Sequence, residues 1–387
     1  MKKNILVIGP YLPGKSFGGP VKSLLNLVEN LSDCFNFYII TGDRDLNAQE
    51  VYTDVIIGSW NQIGKAKVFY MPKGTEFKNI KSIIKQIDYD LVYSNSFFSK
   101  NSLIVQVLKY INFVKKPVIV APRGEFSSGA LTYKSTKKNV FLWIYKLLNV
   151  QKKLSYTSTS IKDQQDILKI LGNDVKVNIV GNIVSGNFKK SNSINVKLPG
   201  YIRIATLSRV SKIKNIDFSL RLLETIDNDV DSFEKIEFDI YGPLEDKDYW
   251  NECLAISRNL SKRVNVNFKG AIEYNDVIEI LSNYHLFLFP TKGENFGHVI
   301  QEAFLSGCPV IISDQTPWRE LLNMGVGFDI SLKNEKEFIK AIKSYLYMDE
   351  ENYKLVSKKA YEYGKKKVEQ QLSITEHIDM FNSEMKL

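Results

Sequence analysis

Two glutamates in the pattern E-x7-E, Glu294 and Glu302, flank a polar segment that leads into an amphipathic stretch. Glu294 follows the apolar run His285–Phe289, which we predict to be a buried strand. Apolar residues at helical spacing then predict a helix on which Glu302 lies away from the apolar face. Backbone N–H groups at a helix N-terminus bind anions, and carboxylates accept hydrogen bonds from hydroxyl groups. The pattern favours a bound diphosphate with one carboxylate on each side. The plainer alternative is an exposed loop glutamate and a solvated helix glutamate.

The segment between the two glutamates, Asn295, Phe296 and Gly297, has the composition of a ligand-binding turn. Gly297 lets a ligand approach the backbone closely. Gly307 and a following proline predict the end of the helix, and the next apolar run, 309–313, predicts another strand. Such a strand–helix–strand unit places its loop at the carboxyl edge of a parallel sheet, where open α/β sheets bind ligands.

Two basic residues, Arg209 and Lys214, follow another predicted strand, Ile202–Leu207. Two cations at the end of a strand suit a diphosphate and the negative charge that grows on it when a bond to it breaks. Taken alone, basic residues in a loop are usually only solvated. Their position relative to the two glutamates favours a role in binding.

The string ENFGHVIQEAFLSGCPV closely resembles E-G-F-G-x-x-x-x-E-A-x-x-x-G-x-P-V, the signature of the family-4 retaining glycosyltransferases, which have the GT-B fold. Asn295 replaces the first glycine of that signature. The matching positions are Glu294, Phe296, Gly297, Glu302, Ala303, Gly307, Pro309 and Val310. The resemblance implies that Glu294 contacts the donor sugar and that Glu302 binds the ribose of the nucleotide.

The resemblance extends to other loops of the second half. The family pattern G-R-x-x-x-x-K-G is met by Arg209 and Lys214, although serine and asparagine replace its glycines. Gly242 matches the second glycine of G-x-G-P, and Ala271 lies in the turn that holds the nucleotide base through its backbone. The base itself is not readable from the sequence.

The first half of the chain offers a weaker set of candidates. Gly18 and Gly19 precede a predicted helix and match the glycine-rich loop that faces the donor phosphates in the family. Glu125 follows a predicted strand at 118–121 and is the candidate for contact with the acceptor. Arg123 is then an anion-binding or a structural partner, and a buried ion pair is the alternative.

Strand-like runs alternate with helical segments through both halves of the 387-residue chain, which predicts two parallel, doubly wound sheets. The resemblance to the family implies α/β architecture of the GT-B type, with two Rossmann-like domains facing a central cleft. The N-terminal, acceptor-binding domain is expected over residues 1–188 and the nucleotide-sugar-binding domain over 189–369. The polar segment 185–200 is the best linker candidate. A last helix, at about 370–387, is expected to pack back on the first domain, as GT-B chains usually do.

Charge and cysteine usage suggest a location. Three cysteines without metal or redox spacing fit a reducing cytoplasm, and the first residues resemble a strand rather than a signal peptide. Residues 1–188 contain 25 Lys and Arg against 13 Asp and Glu, a net charge of +12, whereas residues 189–387 contain 27 against 30, or −3. The basic half has either a separate electrostatic task or merely a solvated surface.

A basic, aromatic segment, 126–162, contains no acidic residue. Its apolar run 141–148 suggests an element that binds an anionic membrane surface on the inner face of the plasma membrane. The alternative is a core helix with a lysine-rich outer face. The seven lysines of the segment are Lys134, Lys137, Lys138, Lys146, Lys152, Lys153 and Lys162.

These observations predict a cytoplasmic retaining glycosyltransferase that moves a sugar from a nucleotide-diphosphate donor to a glycan or lipid-linked glycan in bacterial polysaccharide biosynthesis. No cofactor and no metal are expected, since the D-x-D strings at 43–45 and 88–90 are typical of solvated turns and GT-B enzymes generally need no such pair. No nucleic-acid motif accompanies the basic segment. Two alternatives stay open: a nucleotide-sugar epimerase with the GT-B fold, and a non-catalytic basic module that binds membrane or nucleic acid.

Overall fold

The computed structural model describes residues 2–127, 131, 135–183, 196–229, 233–369 and 373–386. The chain forms two compact units, one made of Met1–Ser185 with Gln371–Leu387 and the other of Gly186–Gln370. The predicted domain boundary at 188 and residues 185–195 of the candidate linker lie outside the described residues. No helix of the described ranges is both long and apolar enough to cross a membrane.

The first unit is built on an eight-stranded sheet with the order β3-β4-β2-β1-β5-β6-β7-β8, in which only the β3–β4 pair is antiparallel. Its strands are β1 Lys3–Ile8, β2 Phe35–Gly42, β3 Trp60–Ile63, β4 Ala66–Met71, β5 Leu91–Ser94, β6 Val118–Val120, β7 Ser155–Ser158 and β8 Lys176–Ile179. The helices between them are α1 Gly19–Leu31, α2 Glu76–Gln86, α3 Lys100–Tyr110, α4 Ser135–Leu147 and α5 Ile161–Leu171, with a 3₁₀ turn at Val150–Lys153. Central strands such as β1 and β5 are buried on both faces, which is why they appear in the sequence as continuous apolar runs.

The second unit has six parallel strands in the order β11-β10-β9-β12-β13-β14. The strands are β9 Tyr201–Leu207, β10 Lys235–Tyr241, β11 Val264–Gly270, β12 Leu286–Phe289, β13 Val310–Ser313 and β14 Gly327–Ile330. The helices are α6 Ile216–Asp227, α7 Lys247–Ser257, α8 Val277–Leu281, α9 His298–Leu305, α10 Leu321–Met324, α11 Glu335–Leu346 and α12 Glu350–Glu369. Counted from β9, this is the doubly wound order 3-2-1-4-5-6, whose direction reverses between β9 and β12.

The last described helix, α13 (Ser373–Met385), belongs to the first unit. Its Phe381 is fully buried and makes edge contacts with the rings of Phe35 and Tyr93. The Glu384 carboxylate, 2% exposed, accepts a hydrogen bond from the Ser155 hydroxyl at 2.7 Å. The chain therefore leaves the first unit and returns to complete its core.

Candidate active site

The reversal point of the second sheet brings together one cation and one carboxylate predicted from the sequence. Lys214 lies in the loop after β9, and Glu294 lies in the loop after β12. Their Nζ and Oε2 atoms are 2.9 Å apart, with side chains only 14% and 20% exposed. The Lys214 ammonium also lies 5.1 Å from the centre of the Phe289 ring. The ion pair is thus held in a part-buried pocket at the carboxyl edge of the sheet, where doubly wound sheets bind ligands.

The Glu294 carboxyl is kept ionised by its partners. Burial raises its pKa, but the Lys214 ammonium and the backbone N–H of Asn295 more than offset this, so that the pKa is below its ordinary value. A carboxyl whose pKa is lowered by folding contributes stability that is present above its unfolded pKa and is lost as the pH falls through its folded pKa. At neutral pH the pocket therefore contains a carboxylate and an ammonium side by side.

Hydrogen bonds fasten the Lys214 loop to the Glu294 loop. The Ile213 carbonyl accepts from the Lys292 N–H at 2.8 Å and from the Thr291 hydroxyl at 3.1 Å. The Asn215 amide donates to the Pro290 carbonyl at 3.0 Å. The two charged residues are therefore positioned by backbone contacts on both sides of the ion pair and not by the ion pair alone.

Asn215 explains how the chain departs from the family pattern at this point. Its φ is 60° and its ψ 38°, in the left-handed region that favours glycine and, among other residues, asparagine. The residue therefore meets the backbone requirement that glycine meets in the family, and its side chain adds the bond to Pro290. An asparagine at a glycine position indicates a left-handed conformation from the sequence alone. The bond of its side chain to the loop after β12 could not be predicted.

The loop after β13 supports the other side of the site. The Glu294 N–H donates to the Gln315 carbonyl at 3.1 Å, and the Trp318 indole Nε1–H donates to the Phe296 carbonyl at 2.6 Å. Trp318 is buried and packs against Phe304 of α9. Sequence reasoning did not find Gln315 or Trp318 as positioning residues, because these contacts join loops that are about 20 residues apart.

Gly297 turns the chain into α9. Its φ is 80°, and its carbonyl accepts from the N–H groups of Ile300 and Gln301. A Cβ atom at this position would lie 2.8 Å from Ile300 Cδ1 and 3.2 Å from Glu294 Cγ. Glycine is therefore required both by the backbone and by the adjacent Glu294 side chain. Asn295, which replaces a glycine of the family signature, has no positive φ, so its position does not require glycine.

Glu302 is buried and not solvated. The sequence predicted that it lies away from the apolar face of its helix, and the residue is only 8% exposed, with its neighbours Gln301 and Ala303 also buried. The alternative of a solvated helix glutamate is therefore wrong. Helix α12 packs so closely on α9 that a Cβ at Gly364 would lie 2.8 Å from the Phe304 Cβ. A helix covered in this way buries more than one face.

Arg209 lies on the same loop as Lys214 but takes no part in the Lys214–Glu294 ion pair. Its Nη1 contacts Glu245 at 2.7 Å, and both side chains remain about one-third exposed. The neighbouring Val210 N–H donates to the Pro243 carbonyl, so that the loops after β9 and β10 run together. Arg209 therefore keeps guanidinium donors at the carboxyl edge of the sheet.

Gly242 permits the closest approach of these two loops. Its φ is 130°, and a Cβ there would lie only 1.9 Å from the Ser208 carbonyl oxygen. Its N–H donates to the Gly270 carbonyl at 2.8 Å, which joins it to the end of β11. Ala271 follows directly and is exposed. Gly242, predicted from a partial motif, is thus a point of steric constraint where three strands end.

The candidates of the first unit also lie at the carboxyl end of a sheet. Gly18, with φ 66° and ψ −131°, adopts a conformation open to glycine, and Gly19 begins α1. The carboxylate of Asp45 accepts the backbone N–H groups of Lys15 and Ser16, each at 3.0 Å. The acidic string at 43–45 therefore fixes the glycine-rich loop. No three His, Cys, Asp or Glu side chains in the described part of the chain are grouped so as to hold a metal ion.

Glu125 and Arg123 have separate partners. The Glu125 carboxylate accepts from the Ser96 hydroxyl at 2.8 Å and from the backbone N–H of Phe97 at 2.5 Å. Burial raises its pKa above the ordinary value in spite of these bonds. Arg123 donates to the Asn95 side chain at 2.7 Å and to the Tyr93 hydroxyl at 2.9 Å. Arg123 is therefore a structural partner here, and the ion pair considered as an alternative for Glu125 is not formed with it.

The geometry of the second unit agrees with a comparison at the level of sequence families. The model of the family described as "Glycosyl transferases group 1" matches residues 186–366. The match covers the Lys214–Glu294 ion pair, the turn at Gly297 that leads into α9, and both glutamates of the E-x7-E pattern.

Relatives of the whole chain are more distant. An uncharacterized 41.2 kDa protein in the cps region of Klebsiella pneumoniae is 24% identical over 297 residues, which cover 72% of this chain and 77% of that protein. HepE from Anabaena, solved in complex with UDP and glucose, superposes with a TM-score of 0.72 at 15% identity and covers all of both chains. WaaG, a glycosyltransferase involved in lipopolysaccharide biosynthesis, gives a TM-score of 0.66 at 12% identity over 98% of each chain. The predicted GT-B fold with two parallel-sheet α/β units is confirmed.

Gly242 provides a test of the site's architecture. We expect Gly242→Ala to destabilise the protein by about 3 kcal/mol, because overpacking costs about 1–3 kcal/mol and a strained φ about 1–3 kcal/mol more. The measurement is the unfolding midpoint in urea, together with the change in nucleotide affinity.

Gly270→Ala is the matched control. Gly270 has a φ of 73° but nothing lies within 4 Å of its Cβ position, so only the backbone cost of about 1 kcal/mol applies. If Gly242→Ala were no more destabilising than Gly270→Ala, the loops after β9 and β10 would not be in contact as described.

Proposed function

We propose that this protein is a retaining glycosyltransferase that transfers a sugar from a nucleotide-diphosphate sugar to an acceptor hydroxyl. The observation that carries the proposal is the part-buried Lys214–Glu294 pair at the reversal point of a glycosyl transferases group 1 domain. Such a pair supplies a fixed positive charge for a diphosphate and a fixed acceptor for sugar hydroxyls. Neither group has to be desolvated anew when the donor binds.

In this proposal Lys214 and Arg209 hold the diphosphate. A lysine ammonium has three donors, so Lys214 can keep its bond to Glu294 and also face a phosphate oxygen. Arg209 contributes guanidinium donors from the exposed end of the same loop. As the bond between the sugar and the phosphate breaks, negative charge grows on the diphosphate, and the two cations stabilise it.

The remaining candidates orient the donor. Glu294 and the turn at Asn295, Phe296 and Gly297 are assigned to the sugar, and Glu302 to the ribose. The turn is rigid, because Gly297 is constrained by the Glu294 side chain and the Phe296 carbonyl is held by an indole N–H. Gly242 and Ala271 are assigned to the side of the site that receives the nucleotide. In the first unit we assign Gly18 and Gly19 to the donor phosphates.

The transfer itself exchanges one bond for another. The bond from the anomeric carbon to the phosphate oxygen breaks, and a bond from the same carbon to the acceptor oxygen forms on the same face. The proton of the acceptor hydroxyl passes to the leaving phosphate, so that no protein base is required. Glu125 is proposed to contact the acceptor and not to take this proton, since its carboxylate is already engaged by Ser96 and Phe97.

The comparisons support a donor class and a pathway class. HepE was solved with UDP and glucose, which makes UDP-sugars the first donors to test. The Klebsiella relative belongs to a cps region, and WaaG is involved in lipopolysaccharide biosynthesis. We infer that the acceptor is a glycan or lipid-linked glycan of a bacterial surface polysaccharide and that the reaction takes place in the cytoplasm.

A nucleotide-sugar epimerase and a non-catalytic basic module are the other candidates. A transferase releases free nucleotide diphosphate only when an acceptor is present, whereas an epimerase interconverts nucleotide sugars and needs no acceptor. A binding module would not depend on Lys214, Glu294 or Glu302. The transferase is favoured because the burial of the Lys214–Glu294 pair carries a desolvation cost that a surface-binding role does not explain.

The cations provide the first functional test. Lys214→Ala and Arg209→Ala should each lower acceptor-dependent release of UDP from a matched UDP-sugar by at least about tenfold. A charge-assisted hydrogen bond contributes roughly 1.5–3 kcal/mol, and about 1.4 kcal/mol corresponds to a factor of ten in rate. The donor is first found by a thermal-shift screen, since a bound ligand raises the unfolding temperature by mass action.

Lys212→Ala is the control, because Lys212 lies in the same loop, is 62% exposed and contacts only Glu252 among the described ion pairs. It should keep near wild-type turnover. Normal turnover of both Lys214→Ala and Arg209→Ala at saturating donor would reject the assignment of the diphosphate site.

Substitutions of the two glutamates should differ in their kinetic effects. Glu302→Gln should mainly raise the donor KM, because it weakens nucleotide binding in the ground state. Glu294→Gln should mainly lower kcat, because the amide neither orients the sugar in the same way nor pairs with Lys214. Steady-state kinetics and calorimetry of UDP binding measure these effects. Unchanged UDP affinity in Glu302→Gln would show that the ribose assignment is wrong.

A further inference from the structure

Helix α4 exposes an apolar surface that the fold of the first unit leaves uncovered. We call this surface the α4 stripe. It consists of five large side chains with exposed fractions between 44% and 66%. They are Val140 (55%), Trp143 (66%), Ile144 (44%), Leu147 (65%) and Leu148 (47%). Single exposed apolar residues are ordinary, but a contiguous group marks an interaction surface.

The spacing of the stripe shows that it is one face of the helix. Residues 140, 144 and 147 recur at i, i+4 and i+7, so they lie above one another. The opposite face belongs to the core: Leu142 and Tyr145 are 6% and 5% exposed, and the Tyr145 ring lies 5.2 Å from that of Phe97. The helix is therefore apolar on two sides, and folding of the first unit accounts for only one of them.

The charged residues of helix α4 itself all have one sign. Lys137 and Lys146 are exposed on the same helix, and no acidic residue occurs between positions 126 and 162. The structure assigns other tasks to three lysines of this segment, Lys138, Lys152 and Lys153. Lys138 lies over the Phe98 ring, Lys152 pairs with Asp174, and Lys153 donates to the Tyr110 carbonyl. Lys134, included in the sequence prediction, lies outside the described residues.

We propose that the α4 stripe is a membrane-docking surface whose occupant is an anionic lipid bilayer. Trp143, Ile144 and Leu147 enter the boundary between headgroups and acyl chains, where amphipathic helices lie parallel to the membrane. Lys137 and Lys146 contact lipid phosphates, and each lysine near an anionic surface adds attraction. The combination of an apolar stripe with exclusively positive charges on its own helix matches this surface. It does not match a second copy of the chain, because like charges would then meet.

The docking helix packs directly on the loop that holds the acceptor candidate. The Phe141 ring of α4 lies 6.1 Å from that of Phe98. The backbone N–H groups of Phe97 and Phe98 both donate to the Glu125 carboxylate. A bilayer bound to α4 would therefore lie close to Glu125, where a lipid-linked acceptor would need to be presented. This last step rests on the proposed function, whereas lipid binding by α4 does not.

Trp143 provides a direct signal for the test. Vesicles of phosphatidylcholine mixed with phosphatidylglycerol should shift the tryptophan emission of the full chain to shorter wavelength, because Trp143 leaves water on binding. Trp143→Phe should bind in sedimentation but lose most of the shift. Binding should weaken with added salt, since exposed charges are screened beyond about 8–10 Å. Vesicles of phosphatidylcholine alone should bind less.

The double variant Ile144→Ser, Leu147→Ser tests the stripe itself. We expect at least about a tenfold loss of vesicle affinity, because two apolar side chains no longer enter the bilayer. Ile56→Ser is the matched control, since Ile56 is 67% exposed in the same unit and outside the stripe. It should bind vesicles like the wild type. Lys137→Glu, Lys146→Glu should reduce binding to anionic vesicles and abolish its salt dependence.

Three results would overturn the proposal. They are no wild-type binding at low salt, equal binding by the stripe and Ile56 variants, and self-association through the stripe in sedimentation velocity without lipid. The donor-dependent thermal shift is measured on every variant. An unchanged donor shift in a variant that has lost vesicle binding separates this proposal from the proposed function. A wild type without a donor shift would count against the proposed function alone.

Discussion

The part-buried ion pair between Lys214 and Glu294 is the interaction on which the second unit's site depends. Removing two charges from water is costly, and the cost is recovered only when geometry and additional hydrogen bonds are good. Here the geometry is imposed by three loops. Ile213 and Asn215 bind the loop after β12, and Gln315 holds the Glu294 backbone from the other side. The pair is fixed before any ligand arrives, which is the condition under which charges are most effective in catalysis.

The fold explains why these loops meet. In the strand order β11-β10-β9-β12-β13-β14, the first and fourth strands of the unit are neighbours, although 78 residues lie between Leu207 and Leu286. Helices leave this point on opposite faces of the sheet, so the space above the strand ends is open to a ligand. Gly242 then allows a backbone approach that a side chain would prevent, and Gly297 supplies the positive φ with which the chain enters α9. The site is therefore a consequence of topology, and the residue types at the strand ends give it its charge.

The positions of several strands were predictable from the sequence, because central parallel strands are buried on both faces. β9 was predicted at Ile202–Leu207 and β12 at His285–Phe289, each within one residue of its observed bounds. The β3 strand was missed because Trp60–Ile63 is an edge strand of mixed polarity, paired through a turn at Gly64. Local patterns do not distinguish such a strand from a loop.

The same limit applies to the site. The sequence predicted Lys214 and Glu294 from separate motifs, and the structure joins them, but their partners Gln315 and Trp318 had no local signal. The burial of Glu302 was also not predicted, because the local pattern is equally compatible with a solvated helix glutamate. Asp45 appeared to be a solvated turn residue, yet it holds the glycine-rich loop of the first unit. The residue types that form the site could be predicted from the sequence, whereas the contacts between distant segments could not.

The most direct measurement is a crystal structure of the protein with bound UDP. We predict a diphosphate oxygen at about 2.7–2.9 Å from Lys214 Nζ, a distance typical of charge-assisted bonds, with the phosphates at the N-terminal end of α9. Glu294 should remain within hydrogen-bond distance of Lys214. UDP bound elsewhere, with no phosphate near Lys214 or α9, would contradict the account.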